Sequence, residues 1–322
     1  METRKLGHTD LHVSRICFGT MTFGSQMDEA TAHRTLDYCV GHDINFIDTA
    51  NVYNKGESEK ITGKWLKGNR GKVVLATKVR GKMGEAPDQQ GLSKAAILKA
   101  IDESLSRLQT DHVDLYYLHQ PDYAVPIDES LEAMESLVKA GKVRYPASSN
   151  YSGWQVAEML ALADKNHWTP ATVTQPMYNL LARGIEQDYL PMVKHFGLAT
   201  CVYNPIAGGM LTGKQKRDQP QAGTRFDNNQ MYLDRYWHPA YFDAVDRLGQ
   251  IAAAAQRSLI SLSLNWILHH TAADCVILGA SKLEQLEQNL ATLADGPVEP
   301  TTVEACDQVW RDLRGITPKY NR

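Results

Sequence analysis

Residues 73–119 read VVLATKVRGKMGEAPDQQGLSKAAILKAIDESLSRLQTDHVDLYYLH, and this stretch decides the fold. VVLATK (73–78) is a short apolar run of the kind that forms a buried strand. KAAILKAIDESLSRL (94–108) then sets Ile97, Ile101, Leu105 and Leu108 on one helical face, with Ser93 as the cap before it. VDLYYLH (113–119) returns to a strand pattern. A strand, a helix and a second strand in this order imply parallel pairing through a right-handed crossover.

The alternation continues on both sides. DESLEAMESLVKAGK (128–142) carries Leu131, Met134 and Leu137 in helical phase, with Gly141 as a stop, and KVRYPASSN follows as a strand. RICFGT (15–20), INFID (44–48), ATVTQ (171–175), LATCVY (198–203) and DCVIL (274–278) are the other strand candidates. Eight strands in repeated β–α order predict an α/β protein, a closed (β/α)8 TIM barrel forming a single domain over residues 1–322. A doubly wound sheet is the competing arrangement, but its glycine-rich GxGxxG fingerprint is absent from the chain. KLGHTDLHVS (5–14) reads as a short N-terminal β-hairpin. The 212–240 stretch has little apolar periodicity and is expected to be a long loop, one of those on the C-terminal face.

Composition narrows the function classes. A net charge of −3 with no single-sign block leaves no basic footprint for nucleic acid. No run of 18 apolar residues is present, so no membrane association is expected, and METRKLGHTD lacks the apolar core of a signal peptide. Five scattered cysteines, odd in number and without CxxC spacing, argue against a disulfide framework or a metal site. The expected location is cytoplasmic.

Three strand ends share a pattern. Ile44, Phe46 and Asp48 have one parity; so do Val74, Ala76 and Lys78; so do Val113, Leu115, Tyr117 and His119. Side chains alternate faces along a strand, so each polar terminal residue points where its apolar predecessors point, into the barrel at its catalytic end. Tyr53 follows Asp48 by five residues on the loop leaving that strand. Any one of these alone reads best as a structural ion pair or a satisfied core residue; placed together on successive strands they read as a site. A free tyrosine has a pKa of about 10. A nearby lysine cation favours tyrosinate, and an aspartate would keep that lysine charged. Tyr53 is thus a candidate general acid for a carbonyl oxygen, with His119 beside it. No hydrolase triad competes.

These residues resemble the aldo-keto reductase superfamily across essentially the whole chain. FIDTANVYNKGESE carries the family's Asp and Tyr, LATKV its Lys, and YYLHQPD its His. The resemblance implies NADP(H)-dependent reduction of aldehydes or ketones, with Tyr53 as proton donor, His119 orienting the carbonyl, and Asp48 with Lys78 tuning Tyr53. It also implies cofactor contacts. Gly19, Thr20, Met21 and Asp48 lie at the first strand ends. Ser149, Asn150 and Gln175 would hold the nicotinamide carboxamide, with Tyr178 stacked on its ring. YNPIAGGMLTGK (203–214) would cradle the pyrophosphate through Tyr203, Asn204, Pro205, Ile206, Gly208 and Lys214. GASKLEQLEQNL (279–290) would take the adenosine 2′-phosphate and adenine through Gly279, Ser281, Lys282, Gln285, Gln288 and Asn289.

Within this family the C-terminal half is similar to the aflatoxin aldehyde reductase subfamily, on YNPIAGGMLTGK, RFDNNQMYLDRYW, LGASKLEQLEQNL and the close PKYNR. That resemblance implies small dicarbonyl, carboxylated or aromatic aldehyde substrates and a homodimer. Met21, Tyr53, His119, Tyr123, Arg225 and Trp237 are the candidate substrate residues. Arg225 and Arg322 could grip a carboxylate. Arg225 reads equally as a solvated loop arginine, and Arg322 better as part of a frayed terminus.

Two features run against the family pattern. Pro146 and Ala147 stand where the family usually has Ile-Gly, and a proline inside a strand is expected to raise a bulge that shifts Asn150. Gln285 stands where many members place an arginine, leaving Lys282 as the 2′-phosphate cation. GGMLTGK (208–214) imitates a P-loop, but Gln215 replaces the magnesium-binding hydroxyl residue. The competing function is that of the potassium-channel β subunits, which resemble this chain in fold and bind NADP(H) as regulatory partners; many carry a long N-terminal extension that is not seen here.

Overall fold

Eight short strands close a barrel in which every polar strand end found in the sequence lies at the same mouth. A computed structural model describes residues 1–316; residues 317–322, among them Arg322 and the PKYNR close, lie outside the described residues. Strands β1 (Thr3–Lys5) and β2 (His12–Ser14) form an antiparallel hairpin. The barrel strands are β3 (Ile16–Gly19), β4 (Phe46–Asp48), β5 (Val74–Val79), β6 (Val113–Leu118), β7 (Val143–Ser149), β8 (Val173–Gln175), β9 (Ala199–Val202) and β10 (Cys275–Leu278), with β10 beside β3. This is the (β/α)8 TIM barrel that the alternation predicts.

The described residues divide into two compact units. The first comprises Met1–Pro176, Asp188–Cys201 and Asp274–Leu286; the second comprises Met177–Gln187, Val202–Ala273 and the described chain from Glu287. In the first unit, Cys17, Phe46, Ala76, Leu115, Tyr117, Ala147, Val173, Ala199, Cys201 and Cys275 are buried in one cluster. They are the alternate residues of their strands, so the parity argument holds around the whole barrel. The intervening residues, such as Phe18, Ile47, Leu75 and Tyr116, are fully buried as well. A strand covered on both faces gives the near-continuous apolar runs that first marked these segments.

Leu6, Leu11 and Val13 of the hairpin join the same interior cluster. The hairpin therefore plugs the end of the barrel where the strands begin. Gly7, at φ +50, passes so close to the chain that a Cβ there would lie 3.0 Å from the Thr172 carbonyl. Asp10 fixes the plug to the start of β7, accepting from Arg144 at 2.8 Å and from the Tyr145 hydroxyl at 2.9 Å.

The helix over Lys94–Leu108 has the bounds its periodicity predicts, and the Ser93 hydroxyl accepts from Ala96 N at 3.3 Å. The helix over Ile127–Lys139 ends just before Gly141, which takes φ +71. Two expectations need correction. First, β7 runs through Pro146 without a bulge: Tyr116 pairs with Pro146, Ala147 with Val173 and Ser149 with Gln175 in unbroken register. The Pro146 carbonyl still accepts from Thr172 N at 3.3 Å, and the donor it lacks would have faced the chain ahead of β8. Asn150 is therefore not displaced. Second, 212–240 is not all loop: Gln230–Tyr236 is a helix, and the next begins at Pro239. Tyr232 and Tyr236 are its buried residues, too few and too short a run to show as periodicity.

The second unit contains helices Pro239–Ala254, Leu259–His270 and Pro300–Arg314. Every residue from Ser261 to Leu268 is buried, so the middle of that helix has no solvent-exposed face. All five cysteines are buried free thiols. No described helix is long and apolar enough to cross a membrane.

One buried carboxylate ties three barrel strands together. Asp114, 3% exposed at the start of β6, accepts from Arg70 (2.8 Å), Arg144 (2.8 Å) and Leu75 N (2.8 Å). Asp114→Ala removes the carboxylate that Arg70 and Arg144 share, though each keeps other acceptors, and leaves Leu75 N without its partner. It should lower stability by about 3 kcal/mol. A urea melt with an unchanged midpoint would contradict this.

Candidate active site

Asp48 ends β4, and Lys78 is the penultimate residue of β5; both point into the barrel mouth, 2% and 0% exposed. An ammonium has three donors and no acceptor. Lys78 Nζ directs them to Asp48 Oδ1, to the Thr49 carbonyl at 2.8 Å and to the Tyr53 hydroxyl at 3.4 Å. The ammonium also lies 5.0 Å from the centre of the Tyr53 ring and 5.8 Å from that of Tyr117. Burial opposes the charge on Lys78, but the Asp48 carboxylate and Tyr53 outweigh it, and its pKa lies above the ordinary lysine value. Lys78 is therefore a fixed cation rather than a base.

The other Asp48 oxygen accepts from Gln175 Nε2 at 3.0 Å. A carboxylate only accepts, so the amide nitrogen must face it, and Gln175 Oε1 is turned elsewhere. A further chain runs beside the site. Asn150 Nδ2 donates to the His119 carbonyl (2.8 Å) and to Ser149 Oγ (3.0 Å), and Ser149 Oγ donates to the Gln175 carbonyl (2.9 Å). Asn150 holds φ +64, a conformation asparagine tolerates.

Tyr53 opens a short 3-10 segment, Tyr53–Gly56, in which Asn54 and Lys55 are left-handed. Asn54 anchors it: its Nδ2 donates to the Met21 carbonyl (3.1 Å), the Phe23 carbonyl (2.6 Å) and Ser25 Oγ (3.2 Å). The Tyr53 and His119 rings meet edge to face at 6.0 Å between centroids. His119 is held at its backbone by Val79, to which its N donates at 3.0 Å. Its pKa is pushed down to about 3 by burial and by the Lys78 and Arg80 charges. The ring is therefore neutral, with one N–H to donate.

The first unit thus brings together Asp48, Tyr53, Lys78 and His119 with Ser149, Asn150 and Gln175. Gly19, Thr20, Met21, Gly279, Ser281, Lys282 and Gln285 belong to the same unit. Gly19 is required by packing, since a Cβ would lie 2.8 Å from Ile277 Cγ2. The Thr20 hydroxyl is buried against Ser58 Oγ at 2.8 Å. Met21 is 39% and Tyr123 87% exposed. Gln285 Oε1 accepts from Ser281 N and Ser281 Oγ, both at 2.9 Å, just ahead of the helix Leu283–Ala291. Lys282 is exposed beside it.

The second unit holds Tyr178, Tyr203, Asn204, Pro205, Ile206, Gly208, Lys214, Gln288, Asn289, Arg225 and Trp237. Asn204, Ala207, Gly208, Gly209 and Gly213 all take positive φ. A backbone wound this way forms the concave run of N–H groups that receives phosphate oxygens. One side is closed: a Cβ on Gly208 would lie 2.5 Å from the Tyr232 ring, whereas Gly209 faces open space. Residues 203–214 therefore fit a pyrophosphate. Tyr178 is 2% exposed, its ring 5.3 Å from Trp266 and its hydroxyl donating to Glu186 at 2.6 Å. Arg225 donates to the Tyr232 hydroxyl at 3.0 Å. Trp237 packs against Phe226 and Phe242.

Sequence reasoning missed three residues near the tetrad. They are Asn54, Gln175 in its role as the second partner of Asp48, and Arg80, whose Nε is buried without a partner. Arg80 repeats the parity of Lys78 and could have been found that way.

With fold and site in hand, comparison with known proteins gives the class. Residues 15–311 match the aldo/keto reductase family. The chain is similar to aflatoxin B1 aldehyde reductase member 2 of Rattus norvegicus, 38% identical over 322 residues that cover 94% of this chain and 86% of that protein. It is similar to aldo-keto reductase family 7 member A3 of Homo sapiens, 38% identical with 94% and 96% covered. It is also similar to a probable voltage-gated potassium channel subunit beta of Oryza sativa subsp. japonica, 32% identical with 99% and 100% covered. The chain belongs to the aldo/keto reductase family and is an oxidoreductase.

The depressed pKa of His119 has a measurable sign. Between about pH 6.5 and 3 the unfolded chain binds a proton at this residue and the folded chain does not. Its contribution to stability is whole above pH 6.5 and is lost as pH falls toward 3. The imidazole resonances of His119 should keep their neutral-form shifts down to about pH 4. A midpoint near 6.5 would contradict the assignment.

Proposed function

We propose that this protein reduces aldehydes and ketones to alcohols with NADPH, with small dicarbonyl, carboxylated or aromatic aldehydes as substrates. The observation that carries the proposal is the engagement of all three Lys78 donors by Asp48, Thr49 and Tyr53. Because Lys78 can only donate, the Tyr53 oxygen accepts from it, and the phenolic proton is left to point away from the lysine. It can then pass to a carbonyl oxygen, while the Lys78 cation stabilises the charge left on the phenolate. The neutral His119 ring donates to that same oxygen and orients the carbonyl over Tyr53. Asp48 holds the lysine charged.

A nicotinamide nucleotide, when bound, supplies the hydride. Ser149, Asn150 and the Gln175 Oε1 atom would hold its carboxamide. In the same unit, Lys282 with Ser281 would meet a 2′-phosphate. The exposed Lys282 cation beside a helix N-terminus supports NADPH over NADH.

The similarity to a potassium channel β subunit favours one second reading, an NADP(H)-binding regulatory subunit. Tyr53→Phe separates the two. It should lower turnover by about 100- to 10,000-fold in an NADPH-oxidation assay, while NADPH binding by fluorescence stays nearly intact. Undiminished turnover would sink the mechanism, and wild-type protein that binds NADPH yet reduces nothing in a panel of methylglyoxal, succinic semialdehyde, aromatic aldehydes and sugars would favour the regulatory reading.

A further inference from the structure

Arg80 has no role in holding the tetrad together, yet the structure keeps it beside the reacting groups in a costly form. It follows Lys78 by two residues at the end of β5, with its backbone at φ +137, a conformation that favours glycine. Its Nε is buried without a partner, and its guanidinium makes no hydrogen bond or ion pair with a described residue. Buried unpartnered donors are rare and call for an explanation. Backbone outliers at non-glycine residues concentrate where ligands are gripped.

The surroundings fix its place. Gly91 N donates to the Arg80 carbonyl at 3.0 Å, and Asp122 holds the same loop by accepting from Leu92 N at 2.9 Å. The next residue, Gly81, is pressed against the tetrad loop: a Cβ there would lie 2.4 Å from Val52 Cβ, one residue before Tyr53. The Arg80 charge reaches His119 and the Tyr151 phenol, whose pKa is raised by burial and held back by this cation.

Among the other cations near the tetrad, Lys55 is exposed on the loop after Tyr53, and the rest are engaged. Lys78 has its three donors engaged, His119 is neutral, and Lys82 pairs with Glu85 at 2.7 Å. Arg225, the arginine that the sequence suggested for a carboxylate, is bonded to Tyr232 in the second unit. Arg80 is left with a planar, permanently charged donor set suited to two oxygens at once. We propose that Arg80 is a specificity residue that takes up an anionic group, carboxylate or phosphate, carried by the carbonyl substrate. The assignment rests on the carbonyl-reductase reading above.

The test compares kcat/KM for NADPH oxidation with matched pairs: succinic semialdehyde against its methyl ester, and glyceraldehyde 3-phosphate against glyceraldehyde. The variants are Arg80→Gly, which suits the backbone at φ +137 and so should fold, and Arg80→Lys, which keeps the charge. In Arg80→Gly the preference for the anionic member should fall by about 10- to 100-fold, and Arg80→Lys should recover part of it. The pair that shows the effect identifies carboxylate or phosphate. A preference unchanged in both pairs, or equal loss of both members of a pair, overturns the proposal. Wild-type protein that turns over no member of either pair defeats the carbonyl-reductase reading instead. Calorimetric titration with succinate and with inorganic phosphate then decides on Arg80: binding weakened about tenfold or more in Arg80→Gly supports it, and identical or absent binding overturns it.

Discussion

A lysine ammonium with no solvent exposure is the constraint on which the rest of the barrel mouth depends. A charge removed from water this completely is tolerated only where its donors are met and an opposite charge is close. Lys78 meets both conditions through Asp48, the Thr49 carbonyl and the Tyr53 hydroxyl. These come from the end of one neighbouring strand and the loop that leaves it. The ion pair therefore fixes where β4 ends, and Gln175 on the second Asp48 oxygen carries the constraint across to β8. The short 3-10 segment with two left-handed residues, pinned by Asn54, is what brings the chain back to place Tyr53 over the lysine.

The same buried cation sets the behaviour of its neighbours. With burial and the charge of Arg80, it keeps His119 neutral. A neutral imidazole thus stands edge to face with a phenol that accepts from lysine. Family membership supports carbonyl reduction in general. The cations also divide by task. Lys78 is spent on the tetrad, whereas Arg80, at φ +137, has a buried Nε with no partner among the described residues.

Much of this was legible in the chain. Strand parity alone placed Asp48, Lys78 and His119 at one mouth, because alternation is a property of any extended backbone. The helix Lys94–Leu108 was legible to the residue, since Ser93 signals its start. The Pro146 expectation failed for a tertiary reason: whether a missing donor matters depends on what faces it, and ahead of β8 no ladder partner does. The helix Gln230–Tyr236 was hidden because two buried tyrosines in seven residues make no detectable period. Asn54 and Gln175 were hidden as structural partners because hydrogen bonds between residues 29 to 33 apart, and 127 apart, leave no mark in the local sequence.

The sequence by itself determined the barrel, the order of its strands and the identity of the four tetrad residues. Those follow from local rules of periodicity and alternation, together with a motif match. Only the tertiary structure decided how the groups act. It gave Lys78 its three acceptors, turned the Gln175 amide toward Asp48, lowered the His119 pKa and left Arg80 Nε without a partner among the described residues. Each of these depends on distance and burial between segments far apart in the chain, and such quantities exist only once the barrel has closed.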